Sequence, residues 1–517
     1  MKTSKFFAII LAIVILLSCF PLSFGASAAQ NYPIVYVQGG GQQIISADGR
    51  TLYQDMRVPI EDGVIADAVK NVVPDFINAV LFGEWDKWHD SFLEFWEPIY
   101  KEVRLDDNGE VTNGSHGWWN INSCSMSPNY EIGAYYMAID WRVDPFETAG
   151  ILDQFIQKVK QKTGAEKVNL ITRCEATNIA MAYLAQYGYE DLNCLELYVS
   201  SANGIESIGA LFSGKFKLYP EELEKYYYAS DLDIGDESVS ALIDSALDWL
   251  VDSYGFEGTC RLLENSMPKL YKECISDVLL TSYGTFPGIW SLVGPDYYAA
   301  ARKLVFEGKE EKYAGLIEKI DRYDTEVRQR SDELLLEAKA AGVKIAVISK
   351  YTELTSEAPI NEECNDVGDR SINVANSSFG STISDTKYVQ LPAEYLAAAD
   401  PEYISPCKRI DASTCLLPET TWFIYNCEHN DFNQPVNVLL KKFFDMNGEM
   451  DVDTFEEFPR YLTYTGSAVR PMTEDDVQMD FEEQAQKDDG FFARFVRAFK
   501  AFIELIKKAL SMLFNKG

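Results

Sequence analysis

Three places in this 517-residue chain hold side chains of the kinds that do covalent chemistry. The first is the junction Ile171-Thr-Arg-Cys174-Glu-Ala176, between a strand pattern and a helix pattern. A thiol at the tip of such a turn faces the N-terminus of the following helix, where free backbone N–H groups and the helix dipole favour negative charge. That setting lowers a thiol pKa and enriches the nucleophilic thiolate. The second is a polar loop with two acids, Asp366 and Asp369; the spacing to Val374 and Ser378 favours Asp369. The third is His429 in Cys427-Glu-His-Asn430, just past an apolar strand pattern. The chain has only three histidines, so chemistry that needs an imidazole must use His429, His89 or His116, with His116 the fallback in an aromatic loop. A zinc site built mainly from histidines is all but excluded, and no CxxC pair suggests zinc. No cofactor is expected.

These side chains need a scaffold. Tyr32 to Gln38 is a short apolar, β-branched run followed by three glycines, Gly39 to Gly41, which suits a buried strand entering a tight turn. Glu131 to Arg142 is a second strand candidate. Asp144-Pro145 opens a helix through about Thr163, with Pro145 at the tolerated first position and Gly164 at the end. Lys167 to Thr172 is a strand, Glu175 to about Tyr187 a helix stopped by Gly188, and Leu192 to Ser200 another strand. The alternation predicts an α/β fold with a mainly parallel sheet flanked by helices. Residues 205–340 then show helical periodicity and no good strand, notably over Glu221–Asp252 and Asp296–Ala341. Strand patterns resume at Val343–Tyr351 and Thr421–Asn426, so the middle segment is an insertion that reads as a cap over the site. The tryptophan-rich stretch from Trp85 to Trp119 reads as packing before it reads as a binding platform.

Taken in order, these segments resemble the α/β-hydrolase superfamily, and within it the lipases and lecithin–cholesterol-acyltransferase-like esterases. YPIVYVQGGG (32–41) resembles the strand leading into the oxyanion loop, and AIDWRVDP (138–145) the Asp-Trp-Arg segment. AEKVNLITRCEATNIAMAYLAQYG (165–188) is similar to the stretch holding the nucleophile elbow. GDRSINVANSS (368–378) resembles the loop of the acid, and TWFIYNCEHNDF (421–432) the strand and loop of the histidine. The resemblance spans most of residues 30–440 outside the insertion. It implies a Cys174, Asp369, His429 triad in the family's order of nucleophile, acid and histidine. By the same analogy the oxyanion donors are the backbone N–H groups of Gly40 and Glu175. The implied activity is hydrolysis of carboxylic esters or thioesters through an acyl-enzyme, on a small-molecule or lipid ester.

The chain departs from the family's Gly-x-Ser-x-Gly elbow in three places. Cys174 replaces the serine, as in dienelactone hydrolases and polyhydroxyalkanoate synthases, and is a competent nucleophile beside a histidine. Thr172 and Ala176 replace the glycines; Ala176 is small enough, whereas the branched Thr172 is an objection in a strained turn. Two other readings follow: an inactive member that keeps the fold to bind a ligand, and an acyltransferase using the same cysteine.

The ends of the chain are separate objects. Lys2 and Lys5, the apolar run Phe6–Phe20 and the small residues Ala26, Ala28 and Ala29 read as a signal peptide over 1–29, so the protein is expected to be secreted or at the cell surface. Leu16-Leu17-Ser18-Cys19 offers a rival lipoprotein signal. Residues 472–489 hold eight acids and read as a solvated linker. Residues 490–517 read as a basic amphipathic helix that meets a membrane surface or a partner, or packs on its own body. The sheet-forming core is thus expected over 30–204 and 341–471. With 46 Lys+Arg against 80 Asp+Glu, a net charge of −34, nucleic acid is excluded as a partner. Besides Cys174 and the signal's Cys19, eight cysteines remain, enough for up to four disulfides, with Cys260–Cys274 and pairs among Cys364, Cys407, Cys415 and Cys427 the local choices.

Overall fold

A computed structural model describes residues 32–54, 72–117, 132–215, 254–262, 274–354, 363–385, 389–431 and 434–477, with a few isolated positions between them. The signal segment, most of Glu221–Asp252, Cys124, and everything after Val477 lie outside the described residues.

Eight strands form the central sheet: β1 (Ile34–Val37), β2 (Tyr135–Met137), β3 (Val168–Arg173), β4 (Leu192–Tyr198), β5 (Lys344–Tyr351), β6 (Thr421–Tyr425), β7 (Tyr461–Tyr464) and β8 (Val469–Pro471). Their order across the sheet is β8-β7-β6-β5-β4-β3-β1-β2. Every neighbouring pair is parallel except β7 with β8. The expected mainly parallel α/β sheet is therefore present. β7 and β8 carry no strong signal in sequence, because each is short and broken by polar residues or Pro471 at the sheet edge.

Helices cover both faces. α1 (Pro145–Thr163), α2 (Ala176–Tyr187) and α3 (Ser331–Ala340) lie on one face, and α4 (Gln434–Asp445) on the other. α1 starts where Asp144 accepts the N–H of Phe146 and ends at Gly164 in the left-handed conformation. It buries Leu152, Phe155, Ile156 and Val159 against the sheet, each side chain worth about 1.5–3 kcal/mol. α2 is buried along its first nine residues, where Thr177 and Asn178 are satisfied by hydrogen bonds and the rest pack as apolar side chains.

Between β4 and β5 the described residues form helices and no strand, including Glu206–Ser213, Pro287–Ser291, Pro295–Phe306 and Ala314–Glu326. They share a core built on Trp290, Phe306, Leu316 and Ile320. Before the insertion, helix Trp85–Tyr100 stacks Trp88, Phe92 and Trp96 along one side.

The disulfide expectation is corrected. Cys174, Cys194, Cys260, Cys407, Cys415 and Cys427 are free thiols. That leaves no bridge between Cys260 and Cys274, or among Cys364, Cys407, Cys415 and Cys427. The sheet itself keeps two of them apart: Cys427 packs with Trp422 and Ile424, whereas Cys407 packs with Phe423 and Tyr425 on the opposite face of β6.

One acid in the sheet yields a prediction. Glu196 of β4 is buried, and neither carboxylate oxygen has a hydrogen-bond partner among the described residues. Burial pushes its pKa well above 4.5. A carboxyl whose folded pKa is raised costs nothing below its unfolded value and costs more as pH rises above it. Glu196→Met should therefore stabilise the protein by about 1–3 kcal/mol at pH 8 and by less at pH 5, read by urea unfolding at the two pH values. An equal effect at both would show that the site is solvated.

Candidate active site

The carboxyl edge of the parallel sheet brings three of the singled-out side chains to one place. Cys174 follows the last residue of β3 directly and carries φ 52°, so the left-handed turn falls on Cys174 itself. Thr172 stays within β3, where its hydroxyl donates to the Glu196 carbonyl at 3.3 Å. Ala176 packs into the core under α2. The two departures from the glycine pattern are thus accommodated: one by the strand, one by a small side chain. Gly39 explains the tightness in front of the thiol, since a Cβ there would lie 2.5 Å from the Arg173 carbonyl and 2.8 Å from the Cys174 Cβ.

Strained backbone gathers at this edge. Of the seven non-glycine residues with positive φ among the described residues, Cys174, Val199, Arg370 and Asn426 lie on the site's loops or just past its strands. Such conformations cost about 1–3 kcal/mol each and persist where the surroundings over-determine them.

His429 lies past β6 with Nδ1 2.7 Å from Asp369 Oδ2, and its backbone N–H donates to the Asp369 carbonyl at 2.9 Å. The ring also lies near enough to Cys174 for each group to shift the other's pKa. Asp369 in turn accepts the N–H groups of Ser371 and Ile372 on Oδ1, at 3.1 and 2.8 Å. Asp369, not Asp366, is the acid against the imidazole. Of the other histidines, His116 bonds its own neighbour's carbonyl at Gly117, and His89 sits beside Asp90 and Asp277 on helix Trp85–Tyr100.

The charges follow. Burial alone would push the Cys174 thiol up, but the charge and hydrogen bond of His429, the Arg173 guanidinium and the Glu175 N–H outweigh it, and the thiol is lowered. Burial opposes a charged His429; the Asp369 and Cys174 charges overcome it and raise the ring to about 10. Burial likewise opposes a charged Asp369, yet His429, Lys350 and the Ile372 N–H hold it below the usual carboxylate range. Both shifts favour the thiolate–imidazolium pair over the neutral one. His429's contribution to stability is complete below its ordinary 6.5 and is lost as pH climbs through about 10. Cys174's contribution runs the other way: it is present above 9.0 and is lost as pH falls through its lowered value. Alkylation of Cys174 by iodoacetamide should accordingly reach its plateau at lower pH than an ordinary thiol's, against a Cys174→Ala background. A rate that climbs tenfold per pH unit across neutrality would mean an ordinary thiol.

Glu175 follows Cys174 directly and its N–H is among the influences that lower the thiol, which puts one oxyanion candidate next to the nucleophile. Its side chain is buried against Gly40, the other candidate: a Cβ on Gly40 would sit 2.0 Å from Glu175 Oε2. Burial, with the Cys174 and Asp140 charges, raises the Glu175 carboxyl well above its ordinary value. A neutral acid can lie beside a thiolate where a carboxylate would repel it.

The insertion contributes an apolar wall. Cys174 packs against a cluster of Ile205 and Leu292 from that segment and Ile372 from the acid loop, which Ile208 and Ile289 also flank. Glu206 ties the two together by accepting from the Asn376 side chain at 2.5 Å and from the Asn373 N–H at 3.4 Å.

Sequence reasoning passed over Lys350. The signal was there: a lysine near the end of an apolar strand that the fold buries on every side. No group of metal-binding side chains occurs among the described residues.

The class these features define is a mainly parallel α/β protein with a Cys–His–Asp constellation at the carboxyl edge of its sheet. No family model matches the chain, and no curated protein matches it. Among solved structures, a chain from the crystal structure of the Tle4–Tli4 complex is similar over 81% of this chain and 97% of its own length, at 12% identity and a TM-score of 0.26, a likeness too slight to bear on function.

Proposed function

We propose that the protein is an α/β-hydrolase that cleaves carboxylic esters or thioesters through Cys174, His429 and Asp369. The observation that carries this is the buried His429 ring bonded to Asp369 and electrostatically coupled to a left-handed Cys174. The thiolate attacks the substrate carbonyl carbon, and the developing oxyanion is met by the N–H groups of Glu175 and Gly40. As the tetrahedral intermediate collapses, the carbonyl–oxygen or carbonyl–sulfur bond breaks and His429 gives its proton to the leaving group. Water then adds to the acyl-thioester while His429 takes its proton. The carboxylic acid leaves and the thiolate–imidazolium pair is restored.

The wall of Ile205, Ile208, Ile289, Leu292 and Ile372 suits an apolar acyl group, and it makes the 205–340 segment the cap that selects it. The leader and the basic tail support an exported enzyme working near a membrane surface, on the strength of the sequence alone.

The test is turnover of short- and medium-chain aryl esters and thioesters by the full chain, with labelling of Cys174 by a thiol-reactive acyl probe. Turnover with labelling at Cys174 is the expected result. Neither turnover nor labelling would sink the enzyme reading in favour of a binding protein.

A further inference from the structure

The carbonyl of His429 is gripped by two cations from two different strands. Arg173, the last residue of β3 and the neighbour of Cys174, donates from Nη2 at 2.8 Å. Lys350, the penultimate residue of β5, donates from Nζ at 3.0 Å. The same ammonium reaches the Asp431 carbonyl at 3.0 Å, and Arg173 reaches Asn430 Oδ1 at 3.4 Å. Tyr198 at the end of β4 adds its hydroxyl to the Asp431 carbonyl at 3.2 Å, and its ring lies 5.1 Å from the Lys350 ammonium.

We infer that Lys350 and Arg173 are positioning residues, which hold the His429 loop so that the imidazole stays in line between Asp369 and Cys174. This rests on the hydrolase reading of the site. The argument is geometric. A peptide carbonyl has two acceptor sites, and here both are filled by charged donors, the stronger kind of hydrogen bond. Other anchors of the loop include the His429 N–H on the Asp369 carbonyl, the Cys427 N–H on the Tyr351 carbonyl and the Arg370–Glu428 ion pair. The three chain segments that carry nucleophile, acid and histidine thus meet at one residue.

Burying an ammonium is costly, and a strand interior would be more stable with an apolar side chain there. Lys350 is fully buried all the same, in the sheet face that holds Ala346 and Ile348. The groups that face it are Cys427, Asp369 and Asp431, which favour its charge, and Arg173, which opposes it. Arg173 in turn favours the Cys174 thiolate, and Lys350 favours the Asp369 carboxylate. Each cation therefore supports the anion on its own side of the site while sharing the histidine's carbonyl.

The experiment compares wild type, Lys350→Met and Arg173→Met as full chains. Two readouts go beyond folding: the pH profile of Cys174 alkylation by iodoacetamide, and the downfield NMR signal of the His429 Nδ1 proton. Thermal unfolding checks that each variant is folded. Displacing a reacting group by about 1 Å costs on the order of 10²-fold, so the expected loss in alkylation rate at neutral pH is about 10- to 100-fold, with a broadened downfield signal. Lys350→Arg, which keeps the charge and the donors, should recover part of the loss. Arg173 is only partly buried, so Arg173→Met reads the same effect if Lys350→Met does not fold. Folded variants with the wild-type profile and signal would overturn the inference and leave the hydrolase reading standing. A wild-type Cys174 that reacts as an ordinary thiol would remove the triad, and this inference with it.

Discussion

Cys174→Ala should reduce ester and thioester turnover to background, a loss of about 10⁴- to 10⁶-fold in kcat. The size of the effect comes from what the residue contributes. Its thiolate is the only group in the proposed mechanism that bonds covalently to the substrate, and the pairing with His429 favours the ionised form. Removing it leaves the oxyanion donors and the apolar wall, which bind but do not react. Cys174→Ser separates two explanations. A hydroxyl has a far higher pKa than a thiol, so serine cannot hold the ion pair and must be activated by His429 in each turnover. Serine should therefore restore a small fraction of the activity, far below cysteine. Both variants should fold as wild type, since the side chains are small and the φ of 52° is no worse for alanine or serine than for cysteine. Steady-state kinetics with an aryl thioester, with circular dichroism as the folding control, decides the matter. Wild-type activity in Cys174→Ala would keep an enzyme and discard its nucleophile.

The second large effect is expected from Asp369→Asn, at about 10⁴-fold in kcat. The surroundings dictate how the amide must sit. The N–H groups of Ser371 and Ile372 both point at Oδ1, so the asparagine carbonyl takes that position and its NH2 turns towards His429 Nδ1. A donor then faces a donor, and the ring is forced into the wrong tautomer. The Asp369 charge is also the leading influence that lifts His429 to about 10 against burial. Without it the ring's pKa falls, the imidazolium is lost at neutral pH, and the thiolate loses its counter-ion. The alkylation profile of Cys174 in Asp369→Asn should accordingly shift to higher pH, towards an ordinary thiol. Asp366→Asn is the control and should leave both the profile and the turnover within a few-fold of wild type. The reverse outcome, with Asp366 essential and Asp369 dispensable, would move the acid to the other side of the turn.

Much of the scaffold was legible because its signals are local. Asp144-Pro145 and Gly164 bracket α1 to the residue, because a cap, a proline and a glycine act within one turn of themselves. The runs that became β3, β4, β5 and β6 are mostly apolar, as suits strands covered on both faces. β7 and β8 escaped notice because they are only four and three residues long, too short to show a pattern. The disulfide count misled for a related reason: parity counts thiols, whereas a bond needs two of them on the same side of the sheet.

By itself, the sequence determined the order of the elements, the placing of Cys174 at a strand–helix turn, and the exclusion of all but one well-placed histidine. These depend on residue type and on neighbours a few positions away. Tertiary structure brought Asp369, which the spacing already favoured over Asp366, to the imidazole across 60 residues of chain. It alone brought Arg173 to the His429 carbonyl across 256 residues, and Lys350 to the same atom across 79. Such contacts leave no periodicity to read, because they are set by which strand ends lie side by side. The charge state of the site depends on those same neighbours, so it too is a property of the fold.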